Sequence, residues 1–414
     1  MGVVAPNGVG LSDFDHALRQ GSSGIAFIPK LAELKFGCQL AGVPPLTQQQ
    51  IDACFTPLQL RNFNSDGIIY GVVSALEAWR NSGLELEKEE VDFDCGVIFG
   101  TGTSGIEKLN EAIKLVDDFK VKRLGSNVVI QTMASGVSAF IAGAIGAGNQ
   151  VTTNSSACST GTEALLMGYR HIKEGHAKRM LVGSTCESGA YLWGGFDAMR
   201  VTNYKHNDKP EEASRPMSAS AGGLVPGAGA GAFVIESLEA ALDRGASILA
   251  EILGGQINSG GQRSGGTLTA PNPKAVRRCI TDAVVDAEID THSIDLINGH
   301  LTATAKDPDE VAAWVESLGL PKELFPFIQS TKSLVGHCLS ASGAIELVAS
   351  VLQMQGSYIH PSVNSQDLHP EISALIPRSS VPETAIAKEI KTAIKASFGF
   401  GDVNACVVLS RNNL

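Results

Sequence analysis

Short apolar runs rich in β-branched residues alternate with segments of helical periodicity along this chain of 414 residues. Residues Val91–Phe99 form one such run, which ends in a glycine-rich turn before a predicted helix that begins near Ile106. Strands that alternate with helices indicate an α/β protein with helix-covered sheets. The other segments that support this prediction are two helices, Gly161–Glu174 and Ala341–Gln355, and the strands Arg179–Gly183, Ala230–Ile235, Ile248–Leu253, Ser293–Asn298, Phe327–Ser330, Thr392–Ala396 and Asn404–Ser410.

One segment of the chain has a faint echo in another. Ala157–Gly175 and Cys338–Gly356 have equal length, and each opens with small polar residues, continues as an amphipathic helix and ends in glycine. Helices that end in glycine are common, so the echo alone is weak. It is compatible with two similar halves, which we place at residues 1–240 and 241–414.

Charge and composition exclude several classes of function. The net charge is −11 and no run of Lys or Arg occurs, so sequence-independent binding to nucleic acid or to an anionic membrane is not expected. The most apolar stretch, Ala134–Gly148, is shorter than the roughly 20 residues that a membrane span needs. Met1–Gly8 has no signal-peptide pattern. The eight cysteines form no Cys-x-x-Cys pair, which argues against a disulfide scaffold or a zinc site and for the reducing cytoplasm.

Cys158 lies among small residues, in Ala-Cys-Ser-Thr-Gly, directly before an apolar-periodic helix. A thiol at a helix N-terminus is expected to favour the thiolate, because the helix dipole and free N–H groups stabilise negative charge there. A buried structural cysteine is the more frequent fate of a free thiol. The motif by itself leaves both interpretations open.

Two histidines lie in loops where α/β proteins often place functional groups. His300 follows an apolar strand, and Thr302 and Thr304 at alternate positions after it can hydrogen-bond an extended polar ligand. Lys332 precedes His337 by five residues in the loop before a helix, where a lysine can support a network around the histidine. A satisfied loop histidine and an ordinary helix cap are the alternatives.

The last candidate is a flexible aromatic loop between the two closing strands. Gly399 and Gly401 flank Phe400 in Ser-Phe-Gly-Phe-Gly-Asp. Backbone N–H groups in such a loop can face an oxyanion. A glycine-rich hairpin without any function is the alternative.

Together and in this order, the four motifs resemble those of the elongating β-ketoacyl-acyl-carrier-protein synthases, which are condensing enzymes. The motifs are Ala-Cys-Ser-Thr-Gly, Asn-Gly-His-x-Thr-x-Thr, Lys-Ser-x-x-Gly-His and Ser-Phe-Gly-Phe-Gly, and the resemblance covers nearly the whole chain. It implies a thiolase-like α/β fold of two similar halves in a five-layer αβαβα arrangement. It also implies an acyltransferase that condenses an acyl group with malonyl-acyl-carrier protein, with loss of CO₂, to a 3-ketoacyl product in fatty-acid or related polyketide or polyene synthesis.

The same resemblance implies a role for each candidate residue. Cys158 is similar to the acyl-accepting nucleophile, and His300 and His337 are similar to the pair that assists decarboxylation and stabilises the enolate. Lys332 resembles the lysine that orders the second histidine, with Glu310 as its expected partner. The remaining candidates are oxyanion and gating residues at Gly399, Phe400 and Gly401, and substrate-binding residues at Thr103, Thr269, Thr302 and Thr304.

The resemblance implies no metal and no resident cofactor, since the phosphopantetheine arm comes with the acyl-carrier protein. It implies a homodimer through Thr132–Ser155, although a heterodimer with a sister subunit stays open. Four basic residues can form a patch for an acidic carrier protein or simply a solvated helix face: Lys114, Lys120, Lys122 and Arg123.

Two related functions stay as alternatives. A thiolase would use a second cysteine near a C-terminal glycine loop, and Cys406 is not placed in such a motif. A non-elongating partner subunit, like the chain length factors of polyketide systems, would lack the nucleophile that Cys158 resembles. The presence of both histidines also argues against that subunit.

Departures from the family pattern indicate a divergent branch. Leu301 replaces a glycine after the first histidine and is expected to narrow the approach, and Asp402 replaces a glycine in the gating loop and is expected to alter its motion or partner. Thr103 stands where a bulky apolar residue often limits acyl length, which predicts a longer or less usual acyl pocket. Met1–Gly8 reads as a first turn, so the first strand is expected to be absent or to precede Met1. The other departures are Ala221 and Ala228, which replace an arginine and a glutamate.

Overall fold

The computed structural model describes residues 1–86 and 90–411. The strands are β1 Gly2–Ala5, β2 Gly8–Val9, β3 Ile25–Phe27, β4 Leu40–Gly42, β5 Cys95–Thr101, β6 Val151–Thr152, β7 Arg179–Cys186, β8 Gly229–Glu236, β9 Glu251–Ser259, β10 Leu296–Asn298, β11 Phe327–Gln329, β12 Tyr358–Ile359, β13 Ile386–Ala387, β14 Thr392–Gly399 and β15 Val403–Ser410. The α-helices are α1 Leu11–Gln20, α2 Pro29–Glu33, α3 Gln48–Asp52, α4 Asp66–Asn81, α5 Ile106–Asp117, α6 Val128–Thr132, α7 Gly136–Ile145, α8 Thr160–Lys173, α9 Ala190–Ala198, α10 Pro210–Ala213, α11 Leu238–Asp243, α12 Pro273–Asp286, α13 Asp307–Leu318, α14 Lys332–Val335, α15 Ser342–Gly356 and α16 Pro370–Leu375.

The two large sheets share one topology. Their strand orders are β2-β1-β8-β7-β5-β6 and β11-β10-β14-β15-β9. In the first sheet β6, β5 and β7 are parallel, and β8 and β1 continue the sheet in antiparallel pairings. In the second sheet β11, β10 and β14 are parallel, and β15 and β9 continue it in antiparallel pairings. Position by position, the two sheets therefore repeat the same order and the same directions, with β2 added at the edge of the first.

Helices cover both sheets and also fill the space between them. The helices α8 and α15 pack against strands of both sheets, α4 and α7 cover the outer face of the first sheet, and α12 with α13 covers the second. Helix α15 is buried on almost every face, as expected of a helix that is apolar nearly all round. The five-layer αβαβα prediction is confirmed.

The two middle helices cross at a pair of glycines. A Cβ atom on Gly161 would collide with the backbone nitrogen of Ala344, and one on Gly343 would collide with the backbone nitrogen of Thr162. These reciprocal contacts make Gly161 and Gly343 equivalent positions in the two halves. The sequence comparison, which aligned Ala157 with Cys338, is therefore off by one residue, since Ala157 corresponds to Leu339. Each of these two residues begins a short 3-10 turn, Ala157–Ser159 before α8 and Leu339–Ala341 before α15.

The chain supplies its own first strand, so the expectation of an absent or earlier strand was wrong. Strand β1 lies between β2 and β8, and Val3, Val4 and Ala5 are completely buried. A run of only four residues that turns back at once into β2 resembles a glycine turn in sequence, which explains the error. Within the described residues, the structure contains no helix of the length and apolarity required for a membrane span.

Candidate active site

Cys158 lies in a tight 3-10 turn, Ala157–Ser159, between β6 and α8. Ala157 has φ of 48°, a left-handed conformation that residues with a Cβ rarely adopt. The hydroxyl of Thr160 holds this strained turn, because it accepts the Ser156 N–H at 2.9 Å and donates to the Ala157 carbonyl at 2.6 Å. The small residues around the cysteine thus make a sharp strand-to-helix turn with the thiol at its apex.

The glycine-rich loop after β14 packs directly on this turn. A Cβ atom on Gly399 would lie 3.1 Å from the Cys158 nitrogen and 2.8 Å from the Ser156 carbonyl, so the close approach requires glycine. The backbone N–H of Phe400 lies beside the Cys158 sulfur and acts to lower the pKa of its thiol. The Phe400 ring packs on Phe196, with 6.0 Å between the ring centroids.

The structure brings the three candidate reactive residues together. One side-chain donor atom each from Cys158, His300 and His337 lie within 4.8 Å of one another, and all three residues are buried. The two imidazoles meet edge to face with centroids 5.4 Å apart. A thiol and two imidazoles are also a donor set that suits Zn²⁺, so the chemistry of the group depends on how the rings are oriented.

The surroundings of His337 define its tautomer. Its Nδ1 accepts the backbone N–H of Leu339 at 3.1 Å and lies 3.0 Å from the Ser342 hydroxyl. A neutral ring that accepts at Nδ1 carries its proton on Nε2. The backbone of His337 is fixed as well, because its N–H donates to the Val225 carbonyl at 2.7 Å. His337 therefore presents an N–H donor from Nε2.

Glu310 holds the loop that carries His300. Its carboxylate accepts the N–H of His300 at 2.6 Å and that of Leu301 at 2.7 Å, and burial raises its pKa to about 7. In the described part of the chain, Nδ1 of His300 is buried without a hydrogen-bond partner. An unpaired buried nitrogen is available to a substrate atom or to a proton.

Lys332 does not pair with Glu310, so that prediction was wrong. Its ammonium group forms an ion pair with Glu346 of α15, and both side chains are 1% exposed. Glu310 is occupied by backbone N–H groups, whereas Glu346 comes from the buried helix that crosses below the histidine loop. Glu346 was missed because a single acid in an apolar helix gives no motif.

Burial decides the protonation of the site at rest. It raises the pKa of the Cys158 thiol to about 11, and the nearby Lys332 charge offsets only part of this rise. The expectation that the helix N-terminus favours the thiolate was therefore wrong for the free site, since desolvation outweighs it. Burial, followed by the charges of Lys332 and Lys395, lowers the pKa of His300 and His337 well below the usual value. The resting site is a neutral thiol beside two neutral imidazoles.

Thr302 and Thr304 lie side by side next to this group. Their hydroxyl oxygens are 3.0 Å apart, and the buried carboxylate of Asp307 accepts the N–H of Thr302 at 2.9 Å and that of Ala303 at 3.1 Å. Leu301 has its side chain fully buried in the outer core of the second sheet. The expectation that Leu301 narrows the approach was therefore wrong, because the loop turns this side chain inwards.

Asp402 joins the gating loop to a second loop. Its carboxylate accepts the N–H of Gln262 at 2.9 Å and that of Asn272 at 2.7 Å, and Gly401 donates to the Leu268 carbonyl at 2.7 Å. Asp402 is fully buried with φ of 62°. The neighbouring Thr269 is exposed on this second loop, so the structure does not bring it into the buried group.

Thr103 lies within the loop between β5 and α5 and contacts another buried acid. Its hydroxyl donates to Glu187 at 3.0 Å, and the same carboxylate accepts the N–H of Ile106 at 3.2 Å. Burial raises the pKa of Glu187 to about 7. The small side chain at position 103 is thus engaged by a carboxyl group rather than packed among apolar residues.

Comparison with known proteins assigns both parts of the chain to one family. Residues 1–241 match the model of the β-ketoacyl synthase N-terminal domain, and residues 249–366 match that of the C-terminal domain. The 3-oxoacyl-[acyl-carrier-protein] synthase 1 of Haemophilus influenzae is 32% identical over 100% of this chain and 98% of its own length.

Solved structures give the same result. A β-ketoacyl synthase from Burkholderia phymatum superposes with a TM-score of 0.90 at 26% identity, over 100% of this chain and 98% of that one. The ishigamide ketosynthase/chain length factor superposes with a TM-score of 0.87 at 25% identity, over 100% and 98% of the two chains.

Proposed function

This chain belongs to the β-ketoacyl synthase family, and from that premise we propose that it joins an acyl group on Cys158 to malonyl-acyl-carrier protein, with loss of CO₂, to give 3-ketoacyl-acyl-carrier protein. The observation that carries the proposal is the buried group of Cys158, His300 and His337, whose donor atoms lie within 4.8 Å of one another. The product class is that of fatty-acid or related polyketide synthesis.

The first half-reaction transfers the acyl group. The Cys158 sulfur attacks the acyl thioester, its proton passes to a neutral imidazole nitrogen, and the same proton leaves on the thiol of the carrier arm. Because His337 presents an N–H group at Nε2, His300 is the acceptor that we propose. The thioester oxygen gains negative charge in this step, and the N–H groups of Cys158 and Phe400, which lie beside the sulfur, are the proposed donors to that oxygen.

The second half-reaction forms the carbon–carbon bond. The malonyl thioester loses CO₂, and the electron pair of the broken bond becomes an enolate. The Nε2–H of His337, which the Leu339 contact defines, donates to the enolate oxygen. The enolate carbon then attacks the acyl carbonyl on Cys158, the Cys158 thiolate leaves as the C–S bond breaks, and it takes up a proton from solvent. His300 must be neutral in order to accept a proton, as its lowered pKa favours, and the lowered pKa of His337 keeps that ring in the neutral tautomer with its proton on Nε2.

An acyl-carrier protein is the proposed partner, and its phosphopantetheine arm is the only prosthetic group that the proposal needs. Thr302 and Thr304 would bind that arm from the side of His300, and Thr269 would meet it at the entrance. The exposed basic residues of the α5 region are proposed to dock the acidic carrier: Lys114, Lys120, Lys122 and Arg123.

We further propose a homodimer formed through the segment Thr132–Ser155. Strand β6 of this segment is the edge of the first sheet in the described part of the chain, and Val151 is 41% exposed. An exposed apolar strand at a sheet edge is a natural pairing surface. All eight cysteines are free thiols, which suits the cytoplasm as the proposed location.

Intact mass spectrometry tests the function. The protein is incubated with an acyl-carrier thioester and then with malonyl-carrier protein, with and without a metal chelator. We expect an acyl adduct on the wild type and on the control variant Cys54→Ala, none on Cys158→Ala, and chelator-insensitive formation of a 3-ketoacyl product.

The other outcomes point to the alternatives. An adduct that never elongates would favour a partner subunit, as in the ketosynthase/chain length factor to which this chain is similar. Condensation of two acyl thioesters without malonyl substrate would favour a thiolase. Loss of activity with the chelator would favour a metal on the cysteine and the two histidines.

A further inference from the structure

A second buried lysine, Lys395, lies beneath the proposed catalytic group. It is carried by β14, it is 1% exposed, and its nitrogen is 2.9 Å from a carboxylate oxygen of Glu346. It also donates to the Ala396 carbonyl and to the Ser397 hydroxyl, the latter at 3.1 Å. Neither the motifs nor the proposed reaction gives this residue a role.

Glu346 therefore bridges two ammonium groups. Lys332 pairs with one of its oxygens and Lys395 with the other, and all three side chains are 1% exposed. While both lysines are protonated, two cations and one anion leave one positive charge in excess, and burial opposes this charge by lowering the pKa of Lys395. Such a charge is costly in a dry interior unless a neighbouring group balances it.

The groups around Lys395 identify what can balance that charge. From the packed elements, the titratable groups are Glu346 on α15, Lys332 on α14, Glu310 on α13, Cys406 on β15, and His300, His337 and Cys158 in the proposed catalytic group. The charge of Glu310 also acts on Lys395, but burial raises the pKa of that carboxyl group to about 7, so at neutral pH it offsets only part of the excess positive charge. The anions still able to form here are those of the reaction: the Cys158 thiolate and the enolate.

We propose that Lys395 is a positioning residue for the condensation, which supplies the excess positive charge that keeps both histidines neutral and stabilises the anions formed during the reaction. The inference rests on the proposed function. The charge of Lys395 is among the causes that lower the pKa of His300 and of His337. For Cys158, the Glu346 charge raises the thiol pKa, and Lys395 neutralises that carboxylate from its second oxygen.

A chain of contacts also links Lys395 to the nucleophile turn. The Ser397 hydroxyl that Lys395 contacts lies 2.9 Å from the Thr162 hydroxyl on α8. The Ser397 carbonyl accepts the Ser159 hydroxyl at 3.1 Å, one residue after Cys158. Lys395 can therefore act on the nucleophile turn through its charge or through this chain of hydrogen bonds. Substitutions of Lys395 can separate the two effects.

Three variants of one residue make the test. Lys395→Gln keeps donors for Ala396 and Ser397 but removes the charge, Lys395→Arg keeps the charge, and Lys395→Met removes both. Lys391→Met, at an exposed lysine just before β14, is the matched control. The measurements are the pH profile of malonyl-carrier decarboxylation and the rate of Cys158 alkylation by iodoacetamide at pH 8.

We expect Lys395→Gln and Lys395→Met to move the acidic limb of the decarboxylation pH profile to higher pH by about one unit, because the histidines then protonate more readily. The turnover number should fall roughly tenfold at neutral pH with an unchanged KM, and alkylation should slow severalfold. Lys395→Arg and Lys391→Met should resemble the wild type.

The proposal is overturned if a folded Lys395→Gln variant has the wild-type acidic limb in its pH profile and the wild-type rate of Cys158 alkylation. This holds whether or not the Lys395→Met variant folds. Because alkylation needs no carrier protein, it tests the charge effect even if the wild type elongates nothing. A wild-type protein that elongates nothing would count against the proposed function alone.

Discussion

The backbone N–H of Leu339 donates to Nδ1 of His337 at 3.1 Å, and this single contact decides which ring nitrogen carries the proton. Leu339 has φ of 48°, so its N–H is aimed back at the histidine by a strained backbone. A neutral imidazole locked in this tautomer is a donor and not a base at Nε2. The other histidine, His300, has no hydrogen-bond partner at Nδ1 in the described structure, so no such contact fixes its tautomer from that side.

Replacing His337 separates these two roles. His337→Gln retains a side-chain N–H donor, whereas His337→Ala retains none. We expect decarboxylation to fall by about 10²–10³-fold in the alanine variant and by less in the glutamine variant, while both still form the acyl adduct on Cys158. Quantification of CO₂ release and of the adduct checks this. Equal losses in the two variants would show that the ring is needed for more than donation.

Replacing Asp402 tests the connection between the two loops. Asp402→Gly removes two charge-assisted hydrogen bonds to Gln262 and Asn272, each worth about 1.5–3 kcal/mol. Glycine relieves roughly 1 kcal/mol of left-handed strain, so we expect a net loss of roughly 2–5 kcal/mol in unfolding free energy. Hydrogen exchange in residues 260–272 should accelerate. Asp402→Asn, which keeps one acceptor oxygen, should lie between; unchanged protection in the glycine variant would disprove the link.

Glu187 predicts a pH dependence of stability. Burial raises its pKa from 4.5 to about 7, so between these values the folded protein holds a proton that the unfolded chain has released. Stability from this group therefore falls as pH rises from about 4.5 to about 7 and is constant above that. We expect Glu187→Gln to gain up to roughly 3 kcal/mol on the wild type across this window, measured by denaturant unfolding at each pH. A difference that does not change with pH would contradict the assignment.

Thr103 remains the residue on which the acyl-length prediction rests. We expect Thr103→Ile to reduce turnover of long acyl thioesters at least tenfold relative to short ones, because the added bulk is placed where the small residue now leaves room. Thr103→Val, which has nearly the wild-type shape but lacks the donor to Glu187, is the control. If the wild-type protein itself does not turn over acyl thioesters longer than medium chain length, the predicted longer acyl pocket does not exist.

The sequence predicted those helices and strands whose hydrophobic pattern arises directly from their burial in the fold. The helix predicted to begin near Ile106 begins at that residue, and the strand predicted at Arg179–Gly183 lies within β7. Hydrophobic periodicity reports burial directly, so long elements are visible in it. Residues Val91–Phe99 are the weaker case, since β5 begins only at Cys95.

Contacts between distant segments were not visible in the sequence. The ion pairs of Glu346 with Lys332 and Lys395 join three elements that only the sheet order brings together. The strand β1 was missed because its four residues carry no periodicity of their own. The effect of burial on the Cys158 pKa also depends on the whole fold, whereas the helix-terminus argument considered only the local turn. The roles of the site residues and the boundary at residue 240 stay predictions.

The reciprocal crossing of α8 and α15 at Gly161 and Gly343 has a consequence for how the molecule divides its labour. Equivalent turns precede the two helices, but one carries Cys158 and the other carries Ser340, whose hydroxyl donates to the Thr185 carbonyl at 2.7 Å. Duplication of a half-length ancestor would produce such an arrangement, with two copies of one scaffold and two candidate apices. One copy presents the thiol of the proposed nucleophile at its apex, and in the other copy the side chain at the apex forms a structural hydrogen bond, so a repeated framework would hold its reaction centre on one side only.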